Sequence, residues 1–248
     1  MISRFRIELA DAGSAPAVSV TKENELRAAL DGLGLCPPRP TLVVVGGAAG
    51  LEEARMEGLR PVFAVGIAPV IQKHGAVGVD GGTHFGVMRL FGEARAATQA
   101  TFPLVGVVAA GPVKLRRELA FAHVETALEP NHTHFVVVPG EQWGDEAPWI
   151  AHAATNLAAT ARSVTVLVNG GEIAYSDVEQ SVDAGRPVLV ISGSGGTAEV
   201  LAAAVAGASA DERAAALVES GLIRSVSMDD SAAVAELLTA ALGGTTAK

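Results

Sequence analysis

Short apolar runs that end in glycine recur along the chain, and they constrain its fold more than any other feature. The four clearest are TLVVVGG from residue 41, AVGVDGG from 76, SVTVLVNGG from 163 and RPVLVISGSGG from 186. Two similar runs, FPLVGVVAAG and THFVVVPG, lie between them. Segments with helical periodicity separate the runs, and this alternation predicts parallel strands joined by helices. We therefore expect an α/β fold, a doubly wound, mainly parallel sheet with helices on both faces.

The 248 residues suffice for one large domain, because 49% of them are hydrophobic. The regular strand–helix pattern fills residues 41–210, which we expect to form the sheet domain. Residues 1–40 indicate an appendage of two short strands and a helix, closed by the linker GLGLCPPRP. Residues 211–248 predict C-terminal helices that pack on the same domain.

Charge and cysteine content argue against several kinds of partner. The formal net charge is −9 and the sequence has no basic stripe, so we expect no nucleic acid as ligand. The charged N-terminus is unlike a signal peptide, and no apolar window approaches the ~18 residues of a spanning helix. We therefore expect a soluble protein without membrane insertion. Cys36 is the single cysteine, which rules out an internal disulfide and favours a cytoplasmic location.

The glycines at the strand ends predict a binding edge. In a parallel sheet the carboxyl ends of the strands share one edge, and ligands bind there. Glycine lets main-chain N–H groups approach a ligand, and a following helix adds free N–H groups and the positive end of its dipole. The loops therefore predict an anion site that needs no lysine. The sequence contains neither a Walker loop nor a complete dinucleotide fingerprint.

The loop SGSGGTAE offers the most polar groups of this edge. The hydroxyls of Ser192, Ser194 and Thr197 are suited to donate to phosphate or to cap the following helix. Glu199 is the candidate catalytic residue, as a general base. It is equally suited to accept from a ribose hydroxyl or to stabilise the helix N-terminus by its charge.

Histidines and a tryptophan add further candidates. His84 follows a glycine pair and is a candidate for the same edge. Trp143 is suited to stack on a base or ribose, and equally to fill the core or an interface. His132 and His134 lie two positions apart but have no third ligand near in sequence, so we expect no metal site.

Several of these segments together resemble a known family. The segments GVDGGTHFGVMRLFGEA, LEPNHTHFVVV, SVTVLVNGG and AGRPVLVISGSGGTAEVLA, in this order, resemble the N-terminal cytosolic homology region of melastatin-type TRP channels. They are similar to its prokaryotic stand-alone form, the LSDAT branch of the SLOG superfamily, over about residues 41–206. The resemblance implies a Rossmann-like fold and a nucleotide-derived ligand, since this region binds ADP-ribose in some channels.

The resemblance also implies which residues contact the ligand. Its motifs place two glycine loops and two further strand ends there, and Trp143 matches an aromatic residue that contacts ADP-ribose in the channels. Together with His84 and Thr197, the implied ligand-binding residues are Gly46, Gly47, Gly82, Thr83, Gly86, Val87, Trp143, Asn169, Gly170, Ser192, Gly193, Ser194, Gly195 and Gly196.

Two arginines of the channel pattern are absent here. Gly196 stands at the position of one of them and Ile150 at the position of the other. The loss of two bidentate phosphate contacts argues against ADP-ribose in the same pose. Arg89 and the basic run KLRR from residue 114 are the candidates to replace them.

Three functions remain open at this point. The first is a nucleotide-binding sensor for ADP-ribose or a related NAD-derived nucleotide, with no required cofactor. The second is a nucleotide glycosidic-bond hydrolase similar to lonely-guy-type phosphoribohydrolases, with Glu199 or an acid of WGDE as the catalytic group. Glu199 lies one residue closer to its threonine than the glutamate of that family's signature does. The third is a ligand-free interaction module, because the alanine-rich C-terminal helices favour homo-oligomers.

Overall fold

A computed structural model defines the fold. It describes residues 2–9, 13–48, 51–113, 116–118, 121–123, 126–208 and 211–243, with main chain alone for 116–118 and 121–123. Within these ranges, eleven strands form one sheet. They are β1 Ser3–Leu9, β2 Gly13–Ser19, β3 Thr41–Gly46, β4 Val77–Asp80, β5 Leu104–Ala109, β6 Arg116–Glu118, β7 Phe121–His123, β8 His134–Val138, β9 Ser163–Val168, β10 Val188–Ser192 and β11 Ile223–Ser227.

Helices fill the connections between the strands. They are α1 Leu26–Gly32, α2 Glu53–Pro61, α3 Ala68–His74, α4 Gly86–Ala97, α5 Ala110–Val113, α6 Ala147–Ala158, α7 Glu172–Asp183, α8 Gly196–Val205, α9 Glu212–Glu219 and α10 Ser231–Gly243. A 3-10 turn, Glu23–Glu25, precedes α1, and a π-helical segment, Val62–Ile67, joins α2 to α3. Within the described ranges, none of the helices combines the length and apolar character that crossing a membrane requires.

The strand order identifies the type of sheet. It is β11-β10-β9-β3-β4-β5-β8-β2-β1-β7-β6, and all neighbours from β11 to β2 pair in parallel. From β3 the chain runs outward through β4, β5 and β8, and then returns to β9 on the other side of β3. This reversal is the topological switch point of a doubly wound sheet. The expected fold class is therefore confirmed.

The strand β3 separates two layers of helices. Its side chains alternate, so Leu42 and Val44 face one layer while Val43 and Val45 face the other. The first layer consists of α2, α3, α4 and α10, and the second of α1, α6, α7, α8 and α9. Because helices cover both faces of the central strands, each of these strands is a continuous apolar run.

The C-terminal segment contributes a strand as well as helices, whereas the sequence predicted helices alone. β11 pairs in parallel with β10 in the register Val188↔Ile223. It was missed because Ile223 and Val226 are its only large apolar residues. The following helix, α10, then lies against the π-helical segment, where a Cβ at Gly66 would come within 2.8 Å of Val234 Cγ1. The tail is therefore an integral part of the sheet domain.

The N-terminal strands also belong to the main sheet, whereas the sequence led us to expect a separate appendage. β1 and β2 form an antiparallel pair, and β2 pairs in parallel with β8. Ile7 of β1 and Phe135 of β8 pack in the same apolar cluster. The short strands β6 and β7, which the sequence did not predict, continue the sheet beyond β1. The charged sequence RRE of β6 carries no strand pattern.

We expect Leu238→Ala to destabilise the whole domain, because Leu238 is fully buried between α10 and the sheet. Removing a buried leucine side chain costs about 2–5 kcal/mol of unfolding free energy. Urea denaturation followed by circular dichroism measures the loss. Glu236→Ala, on the exposed side of the same helix, is the control, and its effect should stay below about 0.5 kcal/mol. Equal midpoints for the two variants would contradict an integral role for the tail.

Candidate functional site

The loops after β3 and β9 meet at the switch point. Gly46 ends β3, Gly47 follows it, and Asn169 follows β9. The amide of Gly47 donates to the carbonyl of Val168 over 3.1 Å. A Cβ at Gly46 would overlap this carbonyl, and a Cβ at Gly47 would lie 2.6 Å from Oδ1 of Asn169. Side chains at these two glycines would therefore push the loops apart.

The loop before α4 is joined to the same place. The amide of Val87, in the first turn of α4, donates to the carbonyl of Gly47 over 3.0 Å. Gly86 has a φ of +46°, and a Cβ there would overlap the same carbonyl oxygen. Position 86 therefore requires glycine for its backbone conformation and for the close approach of two loops.

The glycine pair that follows β4 lies mostly below the surface. Gly82 and Thr83 are buried, whereas His84 is exposed. The amide of Gly82 donates to Asp80 Oδ1 over 2.7 Å, and its carbonyl accepts from the amide of Glu129 over 3.0 Å. Of the three candidates in this loop, the structure places only His84 at the solvent-facing side of the edge.

Asn169 connects the loops after β9 and β10. Its φ is +57°, a left-handed conformation that asparagine tolerates better than most residues. Its amide N–H donates to Ser194 Oγ over 2.8 Å, and its Nδ2 donates to the carbonyl of Ser194 over 2.7 Å. Its Oδ1 accepts from the amide of Gly170 over 2.7 Å. Its main-chain N–H and its Nδ2 therefore hold the two loops together, while its Oδ1 fixes the turn within its own loop.

The hydroxyls of the loop after β10 are hydrogen bonded within the protein. Ser192, Ser194 and Thr197 donate to main-chain carbonyls over 3.1, 2.5 and 2.8 Å. These bonds tie the loop to β11, to β10 itself and to the loop after β9. The sequence suggested these hydroxyls as phosphate donors, but in this structure they maintain the shape of the loop.

The first turn of α8 is bonded to the loop after β9. The amides of Thr197 and Ala198 donate to the carbonyls of Gly170 and Asn169 over 2.9 and 3.0 Å. These are helix N-terminal amides, which the sequence led us to expect free for an anion. The bonds instead make the two loops one continuous surface.

Two glycine amides of this loop remain open. Across the described ranges, the N–H groups of Gly195 and Gly196 have no hydrogen-bond acceptor. The carboxylate of Glu199 accepts from the amide of Gly193 over 2.9 Å, so this candidate catalytic group holds the loop. The amides of Gly195 and Gly196 are therefore the ones available to an anion at the N-terminus of α8.

The backbone of Gly196 explains why this position carries no arginine. Its φ is +59°, and a Cβ there would overlap the carbonyl of Gly170. That carbonyl already accepts the hydrogen bond from Thr197. A side chain at position 196 would strain the backbone and separate the two loops. The glycine at the position of the channel arginine is thus part of a loop contact.

A basic side chain that sequence reasoning missed reaches this loop from α2. Arg55 Nη1 donates to the carbonyl of Ser194 over 3.0 Å. Gly195 leaves room for it, since a Cβ there would lie 2.5 Å from that nitrogen. Arg55 and Ser194 are 139 positions apart, and no local spacing connects them.

The basic groups that the sequence suggested are engaged elsewhere or lie outside the described residues. Arg89 donates to Glu93 over 2.7 Å and pairs with Glu53 at 3.5 Å. The side chains of the KLRR run from residue 114 lie outside the part of the chain that the structure describes. Ile150, at the second arginine position of the resemblance, is buried in the layer of α6.

Three exposed apolar side chains lie on loops and helix starts of this edge. Phe85 precedes α4, Trp143 follows β8 and Ile173 lies in the first turn of α7, with exposed fractions of 46%, 52% and 47%. A Cβ at Gly144 would lie 3.3 Å from Ile173, so the Trp143 loop packs against the start of α7. Of the roles open for Trp143, core filling is excluded by its exposure.

Two carboxyl groups beside the Trp143 loop have raised pKa values. Glu146 accepts from the amide of Gly144 over 3.0 Å, and burial raises the pKa of its carboxyl group. Burial and the nearby charge of Glu146 raise the pKa of Asp177, on α7, to about 7. A carboxyl group that is partly protonated at neutral pH is suited to act as a general acid.

A cluster of buried charged side chains packs against the loop after β4. Nε2 of His132 lies 2.8 Å from Asp80 Oδ1, and Nδ1 lies 2.8 Å from Glu129 Oε2. All three side chains are inaccessible to solvent. The same oxygen of Asp80 accepts from Gly82, and the Glu129 carboxylate packs against Gly92 of α4. The cluster therefore fixes the main chain between β4 and α4.

The two carboxylates keep His132 protonated. Burial by itself would lower the pKa of the imidazole, but the charges and hydrogen bonds of Asp80 and Glu129 raise it to about 9. At neutral pH both ring nitrogens therefore carry a proton and donate. Neither nitrogen is free to bind a metal, which is the only role that the sequence suggested for this histidine.

Two cavities lie at the opposite edge of the sheet, with volumes of about 390 and 370 Å³. Residues at the amino ends of β9, β10 and β11 line them, together with α10. Ligands of doubly wound sheets bind at the carboxyl ends of the strands. The open amides, Arg55 and the exposed apolar side chains also lie at that end. The glycine edge is therefore the candidate site.

We expect His132→Gln to destabilise the protein by about 3–5 kcal/mol, because it leaves two buried carboxylates without their cation. The unfolding free energy from urea titration measures the loss. His84→Gln removes an exposed imidazole from the same loop region and serves as the control. Similar stabilities for the two variants would contradict a buried ionic cluster.

The same cluster predicts a pH dependence with a defined sign. The folded-state pKa of His132, about 9, lies above the ordinary value of 6.5. The contribution of protonated His132 to the free energy of unfolding is therefore complete below about pH 6.5, and it is lost as the pH rises through about 9. Urea midpoints between pH 6 and pH 9.5 should fall more steeply for the wild type than for His132→Gln. Parallel curves would rule out this titration.

We expect Gly196→Ala to be more harmful than Gly207→Ala, although both glycines have a positive φ, +59° and +72°. The left-handed conformation costs each alanine about 1–2 kcal/mol. Only position 196 has a backbone carbonyl in the way, whereas nothing lies within 4 Å of a Cβ at 207. The extra overlap should add about 1–3 kcal/mol. Thermal or urea unfolding of both variants tests this, and equal losses would mean that the loops are not in contact.

Comparison with curated proteins gives relatives among channels. Transient receptor potential cation channel subfamily M member 2 of Mus musculus is 26% identical over 204 aligned residues, which cover 68% of this chain and 13% of the channel. The Rattus norvegicus channel of the same name gives the same figures. The chain therefore corresponds to a small part of these relatives.

A solved structure shares the fold at low identity. The molybdenum cofactor carrier protein MCP from Chlamydomonas reinhardtii is 17% identical, with a TM-score of 0.53 and coverage of 82% of this chain and 99% of that one. The X-ray structure of TM1055 is also 17% identical, with a TM-score of 0.49 and coverage of 80% and 99%.

The family follows from a match over most of the chain. Residues 39–236 match the model of the family described as SLOG in TRPM, prokaryote. The match includes the glycine loops at the switch point, and it extends beyond the resembling segments to β11 and the start of α10. This chain therefore belongs to the prokaryotic LSDAT family, SLOG in TRPM.

Proposed function

We propose that this chain binds a phosphate-bearing nucleotide at its glycine edge and acts as a sensor of that ligand. The observation that carries the proposal is the junction of the loops from β3, β4, β9 and β10, which leaves the amides of Gly195 and Gly196 unpaired within the described ranges. Main-chain amides at a helix N-terminus are suited to bind phosphate oxygens. The resemblance to the channel region supports ADP-ribose or a related NAD-derived nucleotide.

The exposed aromatic side chains support the nucleoside part of this ligand. Trp143 and Phe85 expose about half of their surface at the edge where the amides lie, 52% and 46%. An aromatic ring in this position stacks on a base or packs against a ribose. The amides and the aromatic rings together match the two chemical parts of a nucleotide, and neither part requires a cofactor.

A nucleotide glycosidic-bond hydrolase is the second candidate function. The raised pKa of Asp177, about 7, and its neighbour Glu146 favour it, because base release needs an acid that is protonated near neutral pH. Glu199 is less suited to this step, since its carboxylate accepts from the amide of Gly193. Glu146, which accepts from the amide of Gly144 beside Trp143, and its neighbour Asp177 are therefore the acids that we assign to the reaction in this second case.

Isothermal calorimetry with ADP-ribose, NAD and AMP tests the first candidate. We expect binding of at least one of the three. Trp143→Ala should weaken the binding about tenfold, in line with the usual contribution of one stacked base. Val65→Ala removes an exposed apolar side chain on the π-helical segment and is the matched control. No heat with any of the three ligands at millimolar concentration would overturn the proposal.

Two further measurements on the same samples distinguish the sensor from the hydrolase and from the interaction module. Free base released during incubation would favour the hydrolase, and Asp177→Asn should then abolish the release while Glu199→Gln retains it. Light scattering measures self-association. Oligomers in a protein that binds none of the ligands would favour an interaction module.

A further inference from the structure

The guanidinium of Arg55 occupies a position that no local pattern of the sequence indicates. It reaches from the first turn of α2 across to the loop after β10 and donates to the carbonyl of Ser194 over 3.0 Å. A Cβ at Gly195 would lie 2.5 Å from Nη1, so the guanidinium lies directly against this glycine. The amides of Gly195 and Gly196, which have no acceptor among the described residues, belong to the same loop.

Arg55 lies at the glycine edge and has no acidic partner in the described part of the chain. Arg39 and Arg95 also donate to main-chain carbonyls, but those of Gly75 and Phe102, which precede β4 and β5 at the opposite edge of the sheet. Arg27, Arg60, Arg89 and Arg213 each form an ion pair with a glutamate or an aspartate. No carboxylate among the residues that the structure describes lies within ion-pair distance of Arg55. Its side chain is exposed, and one hydrogen bond leaves the other N–H groups of the guanidinium unused.

Arg55, with no acidic partner in the described ranges, places a cation beside the open glycine amides, in a chain with a net charge of −9. Holding the carbonyl of Ser194 requires a single N–H donor, and Nδ2 of Asn169 already bonds that carbonyl over 2.7 Å. The hydroxyls of the loop donate to main-chain carbonyls. The donors that remain open at the N-terminus of α8 include the two glycine amides and the guanidinium, and all three favour an anion.

We propose that Arg55 is the anion-binding residue of this site, where it contacts a phosphate monoester or a pyrophosphate together with the amides of Gly195 and Gly196. The proposal rests on the proposed nucleotide-binding function and specifies its charged contact. The charge then comes from α2 rather than from positions 150 and 196, where the channel pattern has arginine. Position 196 has no room for a side chain, as the contact with Gly170 requires.

Binding assays with ligands that differ only in phosphate test this assignment. The variants are Arg55→Gln and Arg55→Lys, and the probes are ADP-ribose, AMP, adenosine and pyrophosphate. Arg55→Gln should weaken the binding of the phosphate-bearing probes about 10- to 100-fold. Adenosine should keep its wild-type affinity. Arg55→Lys should give an intermediate loss, because it keeps the charge and loses the planar fork.

Arg27→Gln is the matched control, since it removes the same charge from an exposed arginine on α1. It should leave the affinities for all four probes unchanged. If Arg55→Gln weakens adenosine as much as AMP, Arg55 only supports the loop and the proposal is wrong. Wild-type affinity of Arg55→Gln for AMP and pyrophosphate would also overturn it, while leaving the nucleotide function intact.

A measurement on the wild-type protein covers the case in which the variants do not fold. Phenylglyoxal modifies exposed arginines, and peptide mass spectrometry reports each position separately. Pyrophosphate should protect Arg55 and leave Arg27 reactive. Equal modification of Arg55 with and without pyrophosphate would contradict the assignment. Protection by pyrophosphate without binding of any nucleotide would support Arg55 as the anion contact and overturn the proposed nucleotide ligand.

Discussion

Main-chain hydrogen bonds between loops at the switch point are the constraint on which the rest of this structure depends. The carbonyl of Gly47 accepts from Val87, and the carbonyl of Gly170 accepts from Thr197. Each bond brings two loops so close that a Cβ on the facing residue, Gly86 or Gly196, would overlap the accepting oxygen. The primary role of these glycines is therefore to allow the close contact between the loops. The binding surface is a consequence, because the joined loops hold their remaining amides in fixed positions.

Positive charge is used in two different ways around this junction. Below the loop after β4, His132 is buried between two carboxylates and stabilises the main chain. At the loop after β10, Arg55 is exposed, and its guanidinium donates to a main-chain carbonyl instead of pairing with a carboxylate. A buried cation without partners is costly, so the first one is fully paired. An exposed cation remains solvated, so the second one stays available for an anion.

The central strands were predictable because helices cover both of their faces, and burial on both faces requires continuous apolar runs such as Leu42–Val45. Strands toward the ends of the sheet were not predictable in the same way. β11 has Ile223 and Val226 as its large apolar residues, and pairing with β10 supplies the rest of its stability. The N-terminal strands looked separate, since their attachment to β8 depends on a neighbour more than a hundred positions away.

The sequence by itself determined that the glycine ends share one edge, because parallel strands must end on the same side. It also indicated Trp143 and His84, which the structure exposes at that edge. Only the tertiary structure decided which polar groups remain open there. The hydroxyls of Ser192 and Thr197 donate to carbonyls of distant segments, and the side chain of Arg55 extends from α2 to the loop after β10. The local sequence specifies which polar groups a loop carries. The packing of distant segments against the loop decides which of these groups are already hydrogen bonded.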